Sequence, residues 1–385
     1  MSEGRAARAV VCRERGAPVI VESVTVEAPR AGEVMIRISA CGVCHSDLSA
    51  TNGTLPMALP LVLGHEAAGE IVAVGPGVEE LAPGDHVVSV FTYSCGRCRY
   101  CRSGRPVLCT EQSKALDTLP DGTSRVRDAA GRPLKVFSGC GVMAEYATLA
   151  VASVVKIERS IPLDRAALVG CGVTTGVGAV FNTARVRPGS SVLVVGCGGV
   201  GLNVVQGAAI AGAGRIVALD AAPAKLELAR RFGATDTLAT APGEDWVKPV
   251  KKLTHGGPDY AFECVGSGEL AGLAYRALGR GGTAVIVGIA RPEEVTSVRT
   301  MTLPFEEKVL TGSYFGSCVP SIDFPRLLGL YAAGRLKLDE LITRRYRIEE
   351  APRAFEDLIA SRNARGLIEF DTRADRGPAM RGGAR

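Results

Sequence analysis

SVLVVGCGGVG, residues 191–201, decides the fold. Five apolar-rich residues run straight into Gly196, Gly198 and Gly201, spaced G-x-G-x-x-G, and the chain continues as the Ala-rich, helix-forming GLNVVQGAAIAGA. A lone G-x-G-x-x-G is a weak signal, but a buried strand before it and a helix after it supply the context that gives it meaning. The glycines permit a tight turn and close approach of backbone to a pyrophosphate, which then sits at the helix N-terminus, with Gly199 filling the loop. The next apolar run, RIVALD, ends at Asp220, about twenty residues beyond the glycines, where a carboxylate binds ribose hydroxyls and repels a 2′-phosphate. NAD is therefore expected rather than NADP.

Downstream the same texture repeats. PAKLELARRFG reads as a helix, PDYAFECVG as a strand, GELAGLAYRALG as a helix and GTAVIVG as a strand. At least four βα units predict a doubly wound parallel sheet ending near residue 315. Upstream the texture differs: VVCRE, PVIVESVTVE, EVMIRISA, AGEIVAVG and DHVVSVF are short strands between Gly and Pro turns, so the chain to about residue 172 reads as β-rich. After residue 315, FPRLLGLYAAG and EEAPRAFEDLIASR read as amphipathic helices and GLIEF as a closing strand. The last stretch, 372–385, lacks apolar periodicity and is expected to be a flexible tail.

A chain of 385 residues suits two domains, and 46% hydrophobic with 22% charged residues is a globular composition. The net charge of +5 is mild, and no stretch combines Lys and Arg with aromatics as a nucleic-acid surface does. Residues 188–214 carry no charge over a length that could span a bilayer, but their glycines, Asn203 and Gln206 favour a buried strand, turn and helix, so no membrane association is expected. The N-terminus MSEGRAARAVVCRERG has no apolar signal core, which predicts a cytoplasmic protein. In that setting the spacing of the twelve cysteines matters more than their number.

CGRCRYCRSGRPVLC sets Cys95, Cys98, Cys101 and Cys109 in a C-x2-C-x2-C-x7-C array. Four thiolates at this spacing can wrap one tetrahedral Zn²⁺ in a closed, structural site, with Arg97, Arg99, Arg102 and Arg105 offsetting its charge. An iron–sulfur cluster uses four cysteines too, and its spacing differs mainly at the fourth. Elsewhere, Cys44-His45-Ser46-Asp47, Gly64-His65-Glu66 and Cys171 offer two thiolates and one imidazole. Singly, each is as readily a core residue. Together they form a Cys2His set that leaves a fourth position open for Lewis-acid chemistry.

GHEAAGEIVAVGPGV, the four-cysteine loop and the nucleotide motif, in this order, resemble the zinc-containing medium-chain alcohol dehydrogenases over roughly residues 8–370. The resemblance implies a GroES-like catalytic domain (1–172 with 316–371) and a Rossmann coenzyme domain (173–315). It also implies one catalytic zinc at Cys44, His65 and Cys171, with Glu66 behind it or exchanging with its water, and one structural zinc. Asp47 would orient His65, and Ser46 would take the alcohol proton. Lys225 would contact the adenosine ribose, His45 and Arg365 the pyrophosphate, and Thr175 and Val200 would flank the nicotinamide. Leu55, Phe91, Phe137 and Ile289 would line an apolar pocket suited to primary aliphatic or aromatic alcohols.

One departure stands out. Many relatives continue the proton relay to a histidine, where DLSATNG here has Ser49. The alternatives within the fold are a thiol-dependent formaldehyde dehydrogenase, for which TNGTLPMALP lacks charged groups at the pocket mouth, and a reductase of conjugated double bonds. From another class, a non-catalytic NAD-binding protein stays open. A small-molecule alcohol or aldehyde is the expected substrate, and a homodimer or homotetramer the expected assembly.

Overall fold

The computed structural model describes residues 4–371; the tail expected at 372–385 lies outside them. Six parallel strands, in the spatial order Asp236–Ala239, Arg215–Asp220, Ser191–Val195, Tyr260–Glu263, Thr283–Ile286, Val309–Gly312, form the doubly wound sheet that the repeated βα texture predicts. Its central strand buries Val192 through Val195 completely, as a parallel strand covered on both faces must. Helices Gly199–Ile210, Pro223–Phe232 and Gly268–Ala277 pack on it. Their ends follow from local chemistry: Pro223 opens one helix and Gly233, at φ 114°, closes it, while the Ser267 hydroxyl accepts from Leu270 N–H at the start of another. The strand order reverses between Ser191–Val195 and Tyr260–Glu263, which opens a crevice at the carboxyl ends of those strands.

The β-rich part forms a five-stranded and a seven-stranded sheet. The long strand Glu33–Val43 organises the larger one, pairing antiparallel with Ala67–Val74, with Tyr146–Ala150 and, from the far end of the chain, with Arg365–Glu369. GLIEF thus returns to the larger, seven-stranded sheet, Gly366 opposite Val43, and this register delivers Arg365 beside the Cys44 segment. Helix Gly172–Gly178 starts on Cys171 and crosses Gly199–Ile210 so closely that a Cβ on Gly176 would lie 2.5 Å from the Val200 carbonyl. Residues 188–214 fold as a strand, turn and helix, and among the described residues no single helix is long and apolar enough to cross a membrane. None of the twelve cysteines is in a disulfide.

Candidate metal and coenzyme sites

Cys44 caps the start of helix His45–Asn52, just past the long strand; His65 and Glu66 precede the strand Ala67–Val74; Cys171 stands where one helical turn stops and helix Gly172–Gly178 begins. Pairing between those two strands brings the first three together, and packing of the helix brings the fourth. Ligand atoms of Cys44, His65, Glu66 and Cys171 all lie within 4.8 Å of one another, and all four residues are buried. The Cys44 and Cys171 sulfurs are 3.9 Å apart, and His65 Nε2 lies 3.3 Å from the Cys171 sulfur.

Asp47 faces the other side of the imidazole. Its Oδ1 lies 3.2 Å from His65 Nδ1 and accepts from Gly64 N–H at 2.9 Å. The wholly buried carboxylate thus fixes the ring with Nε2 turned toward the thiols. Burial lowers the imidazole pKa, but Asp47 and Cys44 outweigh it and the net shift is upward. The hydrogen bond from Cys171 holds the Cys44 thiol well below its ordinary value, and the same bond with burial holds Cys171 well above. By contrast, burial alone pushes the core thiol of Cys140 up to about 12.

Glu66 is fully buried, and burial raises its pKa to about 7 against the pull of Arg365, whose Nη2 donates to Oε2 at 2.5 Å. Oε1 has no hydrogen-bond partner, and a carboxylate oxygen of Glu66 belongs to the cluster of metal-ligating atoms. A buried carboxylate oxygen left without a partner is costly, and a cation in the cluster removes that cost. Two thiols, an imidazole and this oxygen fit zinc. Ser46, half-buried on the same helix, places its Oγ 3.8 Å from the Cys44 sulfur.

The four-cysteine loop passes the same test of fit. The ligand sulfurs of Cys95, Cys98, Cys101 and Cys109 lie within 4.8 Å of one another. Backbone amides aim at them: Cys98 N–H at Cys95, Cys101 N–H at Cys98, and both Cys95 and Glu111 N–H at Cys109, over 3.3–3.5 Å. Amides of Cys101 and Thr110 draw Cys98 down to about 5, while burial and the Cys98 hydrogen bond push Cys101 up to about 12. Four sulfurs can fill a tetrahedral shell and leave no open position, which suits a closed site. Arg99 lies over the Tyr100 ring, 4.6 Å from its centre.

At the crevice Gly196 adopts φ 89°, and a Cβ on Gly201 would run into the Gly196 carbonyl, so both positions demand glycine. Above Gly198 there is open space, and a Cβ on Gly199 would come 3.2 Å from the Ala364 carbonyl. The first turn of helix Gly199–Ile210 faces this space with N–H groups that have no acceptor within the helix. Asp220 accepts from Cys197 N–H at 2.8 Å and Ala222 N–H at 2.9 Å, which holds its carboxylate at the strand end. These features fit a dinucleotide. His45 stands at the cleft; partial desolvation lowers its pKa against the opposite pull of Cys44, and Arg365 and Lys225 add to the drop. Lys225 lines a cavity of about 240 Å³ with Thr343, Arg362, Asn363 and Ala364. Thr175, half-buried, is bonded through its N–H to the Cys171 carbonyl.

The expected pocket residues separate. Phe91 and Phe137 both set their rings edge-on to His65, with centroids 5.3 and 5.2 Å away. Leu55 is half-buried against the core beneath the long strand, and Ile289 is 55% exposed, beyond the strand Thr283–Ile286. Two aromatics that sequence reasoning missed join Phe91 instead: Phe315 at 4.2 Å and Tyr314 at 6.4 Å between ring centres. Gln112 donates to the Tyr314 hydroxyl at 3.2 Å, joining the segment after the four-cysteine loop to this wall. Nothing in SYFGS marks these residues, because only folding sets them against Phe91.

Comparisons with known proteins agree with this geometry. Residues 30–159 match the alcohol dehydrogenase GroES-like domain, and residues 199–333 match the zinc-binding dehydrogenase domain. The chain is 43% identical over 368 residues to the NDMA-dependent alcohol dehydrogenase of Amycolatopsis methanolica, covering 94% of this chain and 98% of that one. It is 41% identical over 373 residues to the S-(hydroxymethyl)glutathione dehydrogenase of Saccharomyces cerevisiae, covering 94% and 96%. The crystal structure of benzyl alcohol dehydrogenase from Acinetobacter calcoaceticus superposes with a TM-score of 0.90 at 31% identity, covering 95% and 99%.

Proposed function

Since the chain belongs to the zinc-dependent medium-chain alcohol dehydrogenases, we propose that it interconverts primary aliphatic or aromatic alcohols and their aldehydes by hydride transfer linked to NAD. The observation that carries this reading is the buried Cys44–His65–Cys171 cluster with the Ser46 hydroxyl beside it. Zinc held there supplies Lewis acidity that lowers the pKa of an alcohol, and NAD in the crevice supplies a hydride acceptor.

The protein's own residues do the rest. Ser46 accepts the alcohol proton, and Asp47 keeps the His65 ring in place. Phe91 and Phe137 flank the imidazole and exclude water, and with Tyr314 they make an apolar wall that suits an aromatic or alkyl group. Gly196, Gly198, Gly199, Val200 and Gly201 cradle the pyrophosphate, toward which Arg365 brings positive charge and His45 an imidazole N–H. Lys225 and Asp220 serve the adenosine ribose, and Asp220 disfavours a 2′-phosphate. Ser49 stands where many relatives hold a relay histidine, so beyond Ser46 the proton leaves through a water at Ser49, through His45 or directly to solvent. The division into 1–172 with 316–371 and 173–315 belongs to the same reading, supported by the return of Arg365–Glu369 to the strand Glu33–Val43. So does a cytoplasmic location, since both metal sites need reduced thiols.

A second reading is oxidation of a formaldehyde–thiol adduct, favoured by the 41% identity to the yeast S-(hydroxymethyl)glutathione dehydrogenase. The purified enzyme is assayed for NADH formation, and for NDMA reduction, with benzyl alcohol, long-chain alcohols, and formaldehyde plus glutathione. Turnover of the first two groups without thiol supports the proposal. Turnover only with formaldehyde plus glutathione replaces the substrate class, and reduction of NDMA alone replaces NAD as the external acceptor.

Assembly through a second copy belongs to the proposal as well. Val309–Gly312 is an edge strand of the parallel sheet, with Val309 46% exposed, and Met301 and Phe305 stand 68% and 78% exposed on the segment before it. Unpaired strand edges beside apolar side chains invite pairing. Light scattering on the eluting protein is expected to give a dimer or tetramer mass.

A further inference from the structure

Phe315, Gly316 and Ser317 form an unusual run. Their φ angles are 48°, 63° and 49°, three consecutive left-handed residues of which two carry side chains. Such backbone persists only where its surroundings over-determine it, and it concentrates near functional sites. Here the surroundings are specific. Helix Gly172–Gly178, which begins on the ligand Cys171, presses on the turn backbone to backbone: a Cβ on Gly178 would lie 2.6 Å from the Gly316 carbonyl, and a Cβ on Gly316 would collide with the Thr174 carbonyl.

Beyond Gly178 the helix widens into a single π turn, Ala179–Ala184, a form that re-aims the side chains it carries. Two of them grip the turn. Asn182 Nδ2 donates to the Gly316 carbonyl at 3.1 Å and lies 3.4 Å from Asp323 Oδ2. Thr183 Oγ1 lies 2.8 Å from Ser313 Oγ and 2.8 Å from Ser317 Oγ, so one hydroxyl ties both ends of the strained segment together. On its other side the turn holds Phe315, 2% exposed, against Phe91, whose ring edges His65.

We infer that Asn182 and Thr183 are positioning residues for the dehydrogenase reaction, holding the left-handed turn 315–317 so that the Phe315–Phe91 wall stands at a fixed distance from His65. The inference rests on the dehydrogenase reading and adds to it a pair of side chains that touch none of the candidate ligands. Without the Thr183 hydroxyl the two serines lose their common partner and the turn can relax toward negative φ, withdrawing Phe315. Displacements near 1 Å in a reacting pair cost up to about a hundredfold in rate.

The test compares the full-length zinc-loaded protein with Thr183→Val, Thr183→Ser and, on the other side of the contact, Ser317→Ala. Hydrogen exchange of the peptide spanning 313–318 in the coenzyme-free protein reports the turn directly, and benzyl alcohol oxidation with its α-deuterium isotope effect reports hydride transfer. Thr183→Val and Ser317→Ala are expected to speed exchange of that peptide, to lower kcat about tenfold with KM changed less than about twofold, and to raise the isotope effect. Thr183→Ser is expected to restore exchange and kcat. Unchanged exchange, faster exchange with an unchanged hydride step, or equal loss in the serine variant overturns the inference while the dehydrogenase reading stands. A wild-type protein that oxidises no alcohol overturns that reading, and the inference with it.

Discussion

Arg365 donates to Glu66 across 2.5 Å in the buried floor of the site, in a space that two glycines keep clear. A Cβ on Gly42 would lie 2.6 Å from Glu66 Oε1, and one on Gly172 would collide with Arg365 Nη2. One glycine stands beside Glu66, proposed to face the metal, and the other beside Arg365, proposed to face the pyrophosphate, so a single ion pair links the two halves of the proposed chemistry.

Gly172→Ala tests that link. The added methyl forces Arg365 from its place, and overpacking of this kind costs about 1–3 kcal/mol. The melting temperature is expected to fall by several degrees, and NADH affinity, read by fluorescence titration, to weaken several-fold while zinc content stays the same. An unchanged affinity would show that Arg365 does not face the coenzyme.

Cys98→Ser should separate the two clusters. Elemental analysis is expected to drop from two zinc ions per chain to one, with the residual metal still supporting turnover in the fraction that folds. Thermal stability should fall markedly, because a closed metal site contributes folding energy outright. Iron in the wild-type preparation would instead identify the loop as a cluster site.

Ser46→Ala removes the proposed proton acceptor and leaves every proposed zinc ligand in the chain. A positioned acid–base group contributes about 10²- to 10⁴-fold, so kcat should fall within that range with zinc content intact. A loss below tenfold would assign the proton to another route.

Away from the site, Arg125 is 1% exposed and bonds Glu33 at 2.5 and 2.9 Å and Asp121 at 2.6 Å. Burial raises the Asp121 pKa, but its hydrogen bonds to Arg125 and Thr123 dominate and bring it to about 2. A carboxylate depressed in the folded state adds stability that is full above its unfolded pKa of about 3.9 and is lost as pH falls toward 2. Asp121 is 45% exposed, so its share is a fraction of a kcal/mol. The stability gap between wild type and Asp121→Asn should therefore narrow from pH 5 to pH 2 in urea titrations. Arg125→Met strands Glu33 in the interior and should cost about 3–5 kcal/mol at neutral pH.

Local patterns made much of this protein legible in its sequence. The alternation of apolar strand and Ala-rich helix is a periodicity each segment carries alone, so SVLVVG followed by glycines announced the parallel sheet and its crevice. Cys95, Cys98, Cys101 and Cys109 lie within fifteen residues, so spacing alone brings their sulfurs within reach of one metal. Cys44, His65 and Cys171 are separated by as many as 127 residues, and their ligand set could be read only through the family pattern.

What only the tertiary structure decided are relationships that no short stretch encodes. Strand register sets Gly366 opposite Val43 and so carries Arg365 to Glu66. Helix packing brings Asn182 and Thr183 onto a left-handed turn more than 130 residues later, and sets Phe315 against Phe91 while leaving Ile289 exposed. The reason is physical: periodicity and spacing report which face of an element is apolar and which groups are near in the chain. Which faces meet is settled by close packing of the whole core, a sum over contacts among distant residues.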